Sequence, residues 1–150
     1  MPPAGRCSAV KTPTLLRATL AAAVLALSAA APRAHADAPP ATHVVRMVME
    51  GDKAAFEPAI VTIRPGDRVR FVVASGAPHN VAFDPARTPA DMQRLLRAAM
   101  PDQMQPLSGK LLLADGESYT ISFAGARPGR YEFYCLPHVG MQMKGTLVVR

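Results

Sequence analysis

Four sulfur- and imidazole-bearing side chains crowd one short stretch near the C-terminus, Cys135-Leu136-Pro137-His138-Val139-Gly140-Met141-Gln142-Met143. A thiolate, an imidazole and a thioether are the ligands that copper prefers over magnesium, calcium or manganese. Nine residues cannot complete such a site alone. A trigonal arrangement of two imidazoles and a thiolate with a weak axial methionine needs a second histidine from elsewhere, which requires a fold that returns a distant segment to this loop. His79, in Ala77-Pro78-His79-Asn80-Val81-Ala82-Phe83, is the candidate.

The segments around these residues read as short strands. Val45, Met47 and Met49 alternate with Val44, Arg46, Val48 and Glu50 from His43 onward, and Gly51-Asp52-Lys53 turns the chain. Ile60–Arg64 is extended and ends in Pro65-Gly66-Asp67, a tight-turn sequence. Val69, Phe71 and Val73 then alternate with Arg68, Arg70 and Val72, and His79 opens a short strand over Asn80–Phe83. Leu111–Leu113 and Ser118–Phe123 follow, separated by turn residues. Tyr131, Phe133 and Cys135 share one strand face by the two-residue period, so Cys135 points into the core with the two aromatics. Thr146–Arg150 closes the series.

The segment Asp84–Lys110 differs. Thr88-Pro89-Ala90-Asp91 has the form of a helix start, with Thr88 as cap and Pro89 in the first turn. Met92, Leu95, Leu96 and Ala99 make an apolar stripe, and Pro101 ends it. Met92, Met100 and Met104 could form a thioether-rich Cu(I) tract, but packing is the better reading. Met47 and Met49 likewise read as core, and His43 as a surface histidine. The expected architecture is an all-β antiparallel β-sandwich of seven or eight strands with one short helical insertion.

The chain begins with an address. Arg6, Lys11 and Arg17 precede the apolar run Ala18–Ala31, which is too short to span a bilayer, and Ala34-His35-Ala36 offers a cleavage site. Residues 1–36 are therefore expected to be a cleaved secretory signal, 37–42 a flexible leader and 43–150 the folded domain, placing the protein in the periplasm or another exported location. Removal of the signal leaves 114 residues with 13 Lys and Arg against 11 Asp and Glu, so the overall +6 gives no reason to expect nucleic-acid binding. It also removes Cys7, and a single exported thiol at Cys135 is better explained by metal ligation than by a disulfide. Neither stable membrane insertion nor oligomerisation is expected.

The motifs resemble those of the cupredoxin (plastocyanin/azurin) family of type 1 blue copper proteins, plastocyanins and pseudoazurins above all. The shared features are Pro78-His79-Asn80, Cys135-x-Pro137-His138 with Met143 five residues on, Tyr131–Tyr134 before the cysteine and Gly145–Val149 after the methionine. Phe56-Glu57-Pro58 and Arg64-Pro65-Gly66-Asp67 fit as well, and the likeness spans residues 43–150. It implies Greek-key topology, one copper held by His79, Cys135, His138 and Met143, and Asn80 tying the two loops together. Met141, three residues after His138, is the alternative axial ligand and matches the shorter amicyanin loop. The resemblance also implies an electron carrier that docks transient redox partners near His138.

The competing readings are a module for copper storage or delivery and a zinc site. Zinc is disfavoured, since its structural sites take four Cys, His or carboxylate ligands. Enzyme readings fail by counting: after residue 36 only His43, His79, His138 and Cys135 remain, too few for a multicopper oxidase or a binuclear copper centre.

Overall fold

The alternating segments form seven strands in a computed structural model that describes residues 39–150. The expected signal, 1–36, and the first leader residues, Asp37 and Ala38, lie outside the described residues. In chain order the strands are β1 (Thr42–Glu50), β2 (Lys53–Glu57), β3 (Ile60–Ile63), β4 (Arg68–Val73), β5 (Ser118–Ser122), β6 (Gly129–Tyr134) and β7 (Lys144–Val149), with helix α1 (Ala90–Ala99) between β4 and β5. They pair as β2-β1-β4-β5 in one sheet and β3-β7-β6 in the other. Every strand and every core side chain described falls within residues 42–149. No helix among the described residues is long and apolar enough to cross a membrane.

The sandwich is not wholly antiparallel. β1 pairs with β4 in parallel, Thr42 opposite Arg68, and β3 with β7, Ile60 opposite Thr146. After the β1–β2 hairpin the chain crosses to the second sheet as β3 and returns as β4 beside β1. A crossover of this kind lets neighbours run the same way.

Strand parity delivers the core. Val45, Met47, Val69, Phe71, Val73 and Ile121 from one sheet meet Val61, Ile63, Phe133, Leu147 and Val149 from the other. Phe133 sits at the centre, with the rings of Phe56, Phe71 and Phe83 at 4.8, 5.3 and 6.1 Å. The first two contacts are edge-to-face, the arrangement aromatic quadrupoles favour.

Several local expectations are corrected. β2 was hidden in the sequence because alanines blur its alternation, yet Phe56 is fully buried. The expected strands at Asn80–Phe83 and Leu111–Leu113 reduce to isolated pairings, His79 with Leu112 and Ala82 with Ser108 and Tyr134. Thr88 does not cap α1: its hydroxyl donates to the Asp84 carbonyl at 2.7 Å, and the helix starts at Ala90. Met92 and Met100 are buried in the core, as packing predicts, while Met104 is exposed.

His43 is not a lone surface histidine. Its Nε2 lies 2.8 Å from Oδ2 of buried Asp67, which also accepts the Arg64 and Ala41 amides at 2.9 and 2.8 Å. Ala41 is therefore fixed at the domain edge, and β1 starts one residue before the expected boundary. The Arg64 amide, with help from His43 and Ala41 and against the cost of burial, holds the Asp67 carboxyl down to about 2. A depressed folded value means its stabilisation is complete above the unfolded value near 4 and is lost as pH falls through about 2. In urea unfolding of metal-free protein, Asp67→Asn is expected to cost about 1–3 kcal/mol at neutral pH. The gap from wild type should close between about pH 4 and pH 2; a gap that stays constant across that window would contradict this role.

Candidate metal centre

Two loops meet at one end of the sandwich. The first leaves β4 and is pinned to the end of β1, where the Ser75 hydroxyl donates to the Met49 carbonyl at 3.1 Å and accepts the Met49 amide at 3.0 Å. Gly76 lies so close that a Cβ there would stand 2.2 Å from the Met49 Cβ, and its φ of +71° also favours glycine. His79 is then held by paired backbone hydrogen bonds with Leu112, 3.0 and 2.8 Å.

The second loop continues β6. Tyr131, Phe133 and Cys135 all turn inward, so the strand's own parity buries the thiol. A 3-10 turn over Leu136–Met141, opened by Pro137, brings His138 back toward the cysteine, and its amide donates to the Cys135 carbonyl at 3.2 Å. Gln142 in the left-handed region reverses the chain, and the Cys135 amide donates to the Met143 carbonyl at 3.1 Å, closing the loop into β7.

The result is a compact ligand cluster. Cys135 Sγ lies 3.6 Å from His79 Nδ1 and 3.4 Å from His138 Nδ1, and all three atoms fall within 4.8 Å of one another. All three residues are buried. His79 Nε2–H donates to the Ser75 carbonyl at 2.9 Å, which leaves Nδ1 with a lone pair facing the cluster. Met143 is 1% exposed on the same loop, whereas Met141 is 39% exposed.

The surroundings suit a soft cation. Burial pushes the Cys135 thiol up, partly offset by the Asn80 and His138 amides, and lowers His138 with a further contribution from His79. A buried thiolate here thus needs a positive charge beside it, which a metal ion supplies. The Asn80 amide points at Sγ from 3.4 Å. Its side-chain oxygen accepts the Leu136 amide at 2.8 Å, while its nitrogen donates to Ser108 Oγ at 3.0 Å and the Gly109 carbonyl at 3.1 Å. Asn80 thus bridges the two loops. Ser75, Ser108 and Gly109, which complete this support, carried no signal in the sequence.

A two-sheet sandwich with buried histidine, cysteine and histidine gathered at one end is the architecture of a cupredoxin. Residues 43–150 match the model of the copper binding proteins of the plastocyanin/azurin family. The chain belongs to that family. It is 38% identical over 110 residues to a plastocyanin of Nostoc punctiforme, covering 73% of this chain and 74% of that one. Against the chloroplastic plastocyanin of Chlamydomonas reinhardtii the identity is 33% over 157 residues, covering 99% and 95%. Among solved structures, oxidised plastocyanin from the fern Dryopteris crassirhizoma superposes with a TM-score of 0.57 at 34% identity, covering 71% of this chain and 99% of that one. A pseudoazurin from a Sinorhizobium gives 0.52 at 32%, covering 73% and 74%.

Proposed function

We propose that one copper ion would be held by His79 and His138 through Nδ1, Cys135 through Sγ and Met143 through its thioether, and that the protein carries single electrons between redox partners. The observation that carries this reading is the convergence of three buried donor atoms within 4.8 Å, one of them with its tautomer set by the Ser75 carbonyl. Bound copper would supply a one-electron couple between Cu(I) and Cu(II). What the chain contributes is rigidity. The Asn80 bridge, the Pro137 turn and the Ser75 clamp hold the ligands in place, so little need rearrange when an electron moves.

On this reading residues 1–36 are removed on export, the domain from residue 43 acts as a monomer, and partners dock where His138 nears the surface. Leu113, Val139 and Met141, all exposed, supply apolar contact suited to brief encounters. A storage or delivery role would draw on accessible methionines, and of Met92, Met100 and Met104 only Met104 is exposed. Reversible one-electron cycling monitored optically, with copper retained in the presence of a Cu(I) chelator, is the expected behaviour. Rapid surrender of Cu(I) to the chelator would favour delivery instead.

The axial assignment has its own test. Met143→Leu keeps the volume but removes the thioether donor, so Cu(II) loses more stabilisation than Cu(I) and the reduction potential rises. Met141→Leu, at an exposed position, should leave potential and visible spectrum nearly unchanged. The opposite ranking in voltammetry would move the axial ligand to Met141.

A further inference from the structure

The charges of the domain are not evenly spread. β1 and β4 run parallel toward the metal centre, with β4 leading into the His79 loop, and β7 runs back from Met143 toward Arg150. The starts of β1 and β4 and the end of β7 therefore lie together at the far pole, roughly 20 Å from the metal end given the rise along β4. Register and hydrogen bonds agree: Arg68 donates its amide to the Ala41 carbonyl at 2.8 Å and Arg150 donates to the Ile63 carbonyl at 3.0 Å.

This far pole is basic. Arg64, Arg68 and Arg150 are exposed and have no salt-bridge partner among the described residues, and Arg70 continues the series along β4. Arg64, Arg150 and His43 line a groove of about 400 Å³ together with Pro39, Ala41 and Ile63. The acid in that groove, Asp67, is held ionised with both oxygens engaged by His43, Arg64 and Ala41, and its single charge is outnumbered by Arg64, Arg68, Arg70 and Arg150. The metal-side pole has the opposite balance. Glu50, Asp52, Asp115 and Glu117 are exposed there without salt-bridge partners, against Lys53 and Lys144. The domain is thus a dipole with its positive end away from the metal centre.

The chain also enters the domain at the basic pole. Pro39 and Ala41 line the same groove.

We propose that the pole formed by Arg64, Arg68, Arg70 and Arg150 docks on an anionic bilayer, holding the domain with its metal end turned away from the membrane. Guanidinium groups pair with phosphate oxygens of lipid headgroups, and the acids of the opposite pole are repelled by the same surface. The docking is electrostatic and reversible, and it weakens with salt. The outward orientation leaves the His138 edge open to a soluble partner, and that part rests on the electron-carrier reading above.

Flotation of copper-loaded protein comprising residues 37–150 with phosphatidylcholine vesicles, with and without phosphatidylglycerol, tests the proposal. Binding is expected only to the anionic vesicles and should disappear at high salt. The double variant Arg64→Gln, Arg68→Gln should weaken it by on the order of tenfold or more. Lys53→Gln with Lys144→Gln makes the same change in net charge at the other pole and should retain binding. Failure of the wild type to float, or equal loss in both double variants, would overturn the docking surface. Oxidation of the reduced, vesicle-bound protein by soluble ferricyanide should match the free rate, and a strong slowing on vesicles would overturn the orientation. Flotation does not depend on electron transfer, so failure of the electron-carrier reading would leave the binding result standing.

Discussion

Cys135→Ser is expected to leave the copper-treated protein without its intense visible colour, the largest spectroscopic effect of any single substitution in this chain. The colour of a type 1 site is charge transfer from thiolate sulfur to Cu(II), and Cys135 is the only cysteine among the described residues. A serine hydroxyl fills nearly the same space and can still accept the Asn80 amide now directed at sulfur, so the fold should survive. At neutral pH the hydroxyl offers neither the negative charge nor the soft sulfur that favours copper. Copper affinity should fall by more than the roughly 100-fold that losing a supporting residue costs. Optical titration with Cu(II), alongside circular dichroism to verify folding, makes the measurement. Retained colour in a folded variant would remove Cys135 from the proposed ligand set.

Phe133→Ala should produce the largest loss of stability. Phe133 is 1% exposed, its ring contacts three other phenylalanine rings, and it also fills the space beside Gly145, where a Cβ would stand 2.3 Å from its Cζ. Truncation leaves a cavity between the sheets that strands from both sides cannot close together. The expected cost is about 3–5 kcal/mol, seen as a fall in Tm on the order of 15 °C. Because Phe133 precedes Cys135 by two residues on the same face of β6, copper affinity should fall with it. Denaturant unfolding of metal-free protein separates the two effects, and a loss below about 1 kcal/mol would show that the core repacks around the gap.

What the sequence displayed depended on how far apart the interacting groups lie. Val69, Phe71 and Val73 announce their strand by alternation alone, and Met92 and Leu96 announce their helix face by spacing. The same parity, applied to Tyr131 and Phe133, placed Cys135 inward. Strand direction leaves no trace in periodicity, so the parallel pairing of β1 with β4 was not legible. Small side chains hid β2, and a hydroxyl that turned back to Asp84 in place of the helix moved the start of α1.

The candidate site divides in the same way. His79, Cys135 and His138 could be named because their chemistry and spacing are distinctive, and the structure brings the three together. Of the groups that steady them, Asn80 could be named through the resemblance, but its partners and Ser75 could not. Ser75 reaches Met49 across 26 positions and Asn80 reaches Ser108 across 28; away from the site, His43 meets Asp67 across 24. Nothing local marks such partners. Met141 and Met143 were separated in the sequence only by the resemblance of the loop, whereas in the structure one is half-exposed and the other buried.

X-ray absorption at the copper edge of the Cu(II)-loaded protein tests the central claim most directly, because it reads the atoms around the ion. One short sulfur and two imidazole nitrogens are expected, with the sulfur lost in Cys135→Ser and one nitrogen lost in His79→Ala. A first shell of nitrogen and oxygen alone, unchanged by either substitution, would contradict the account.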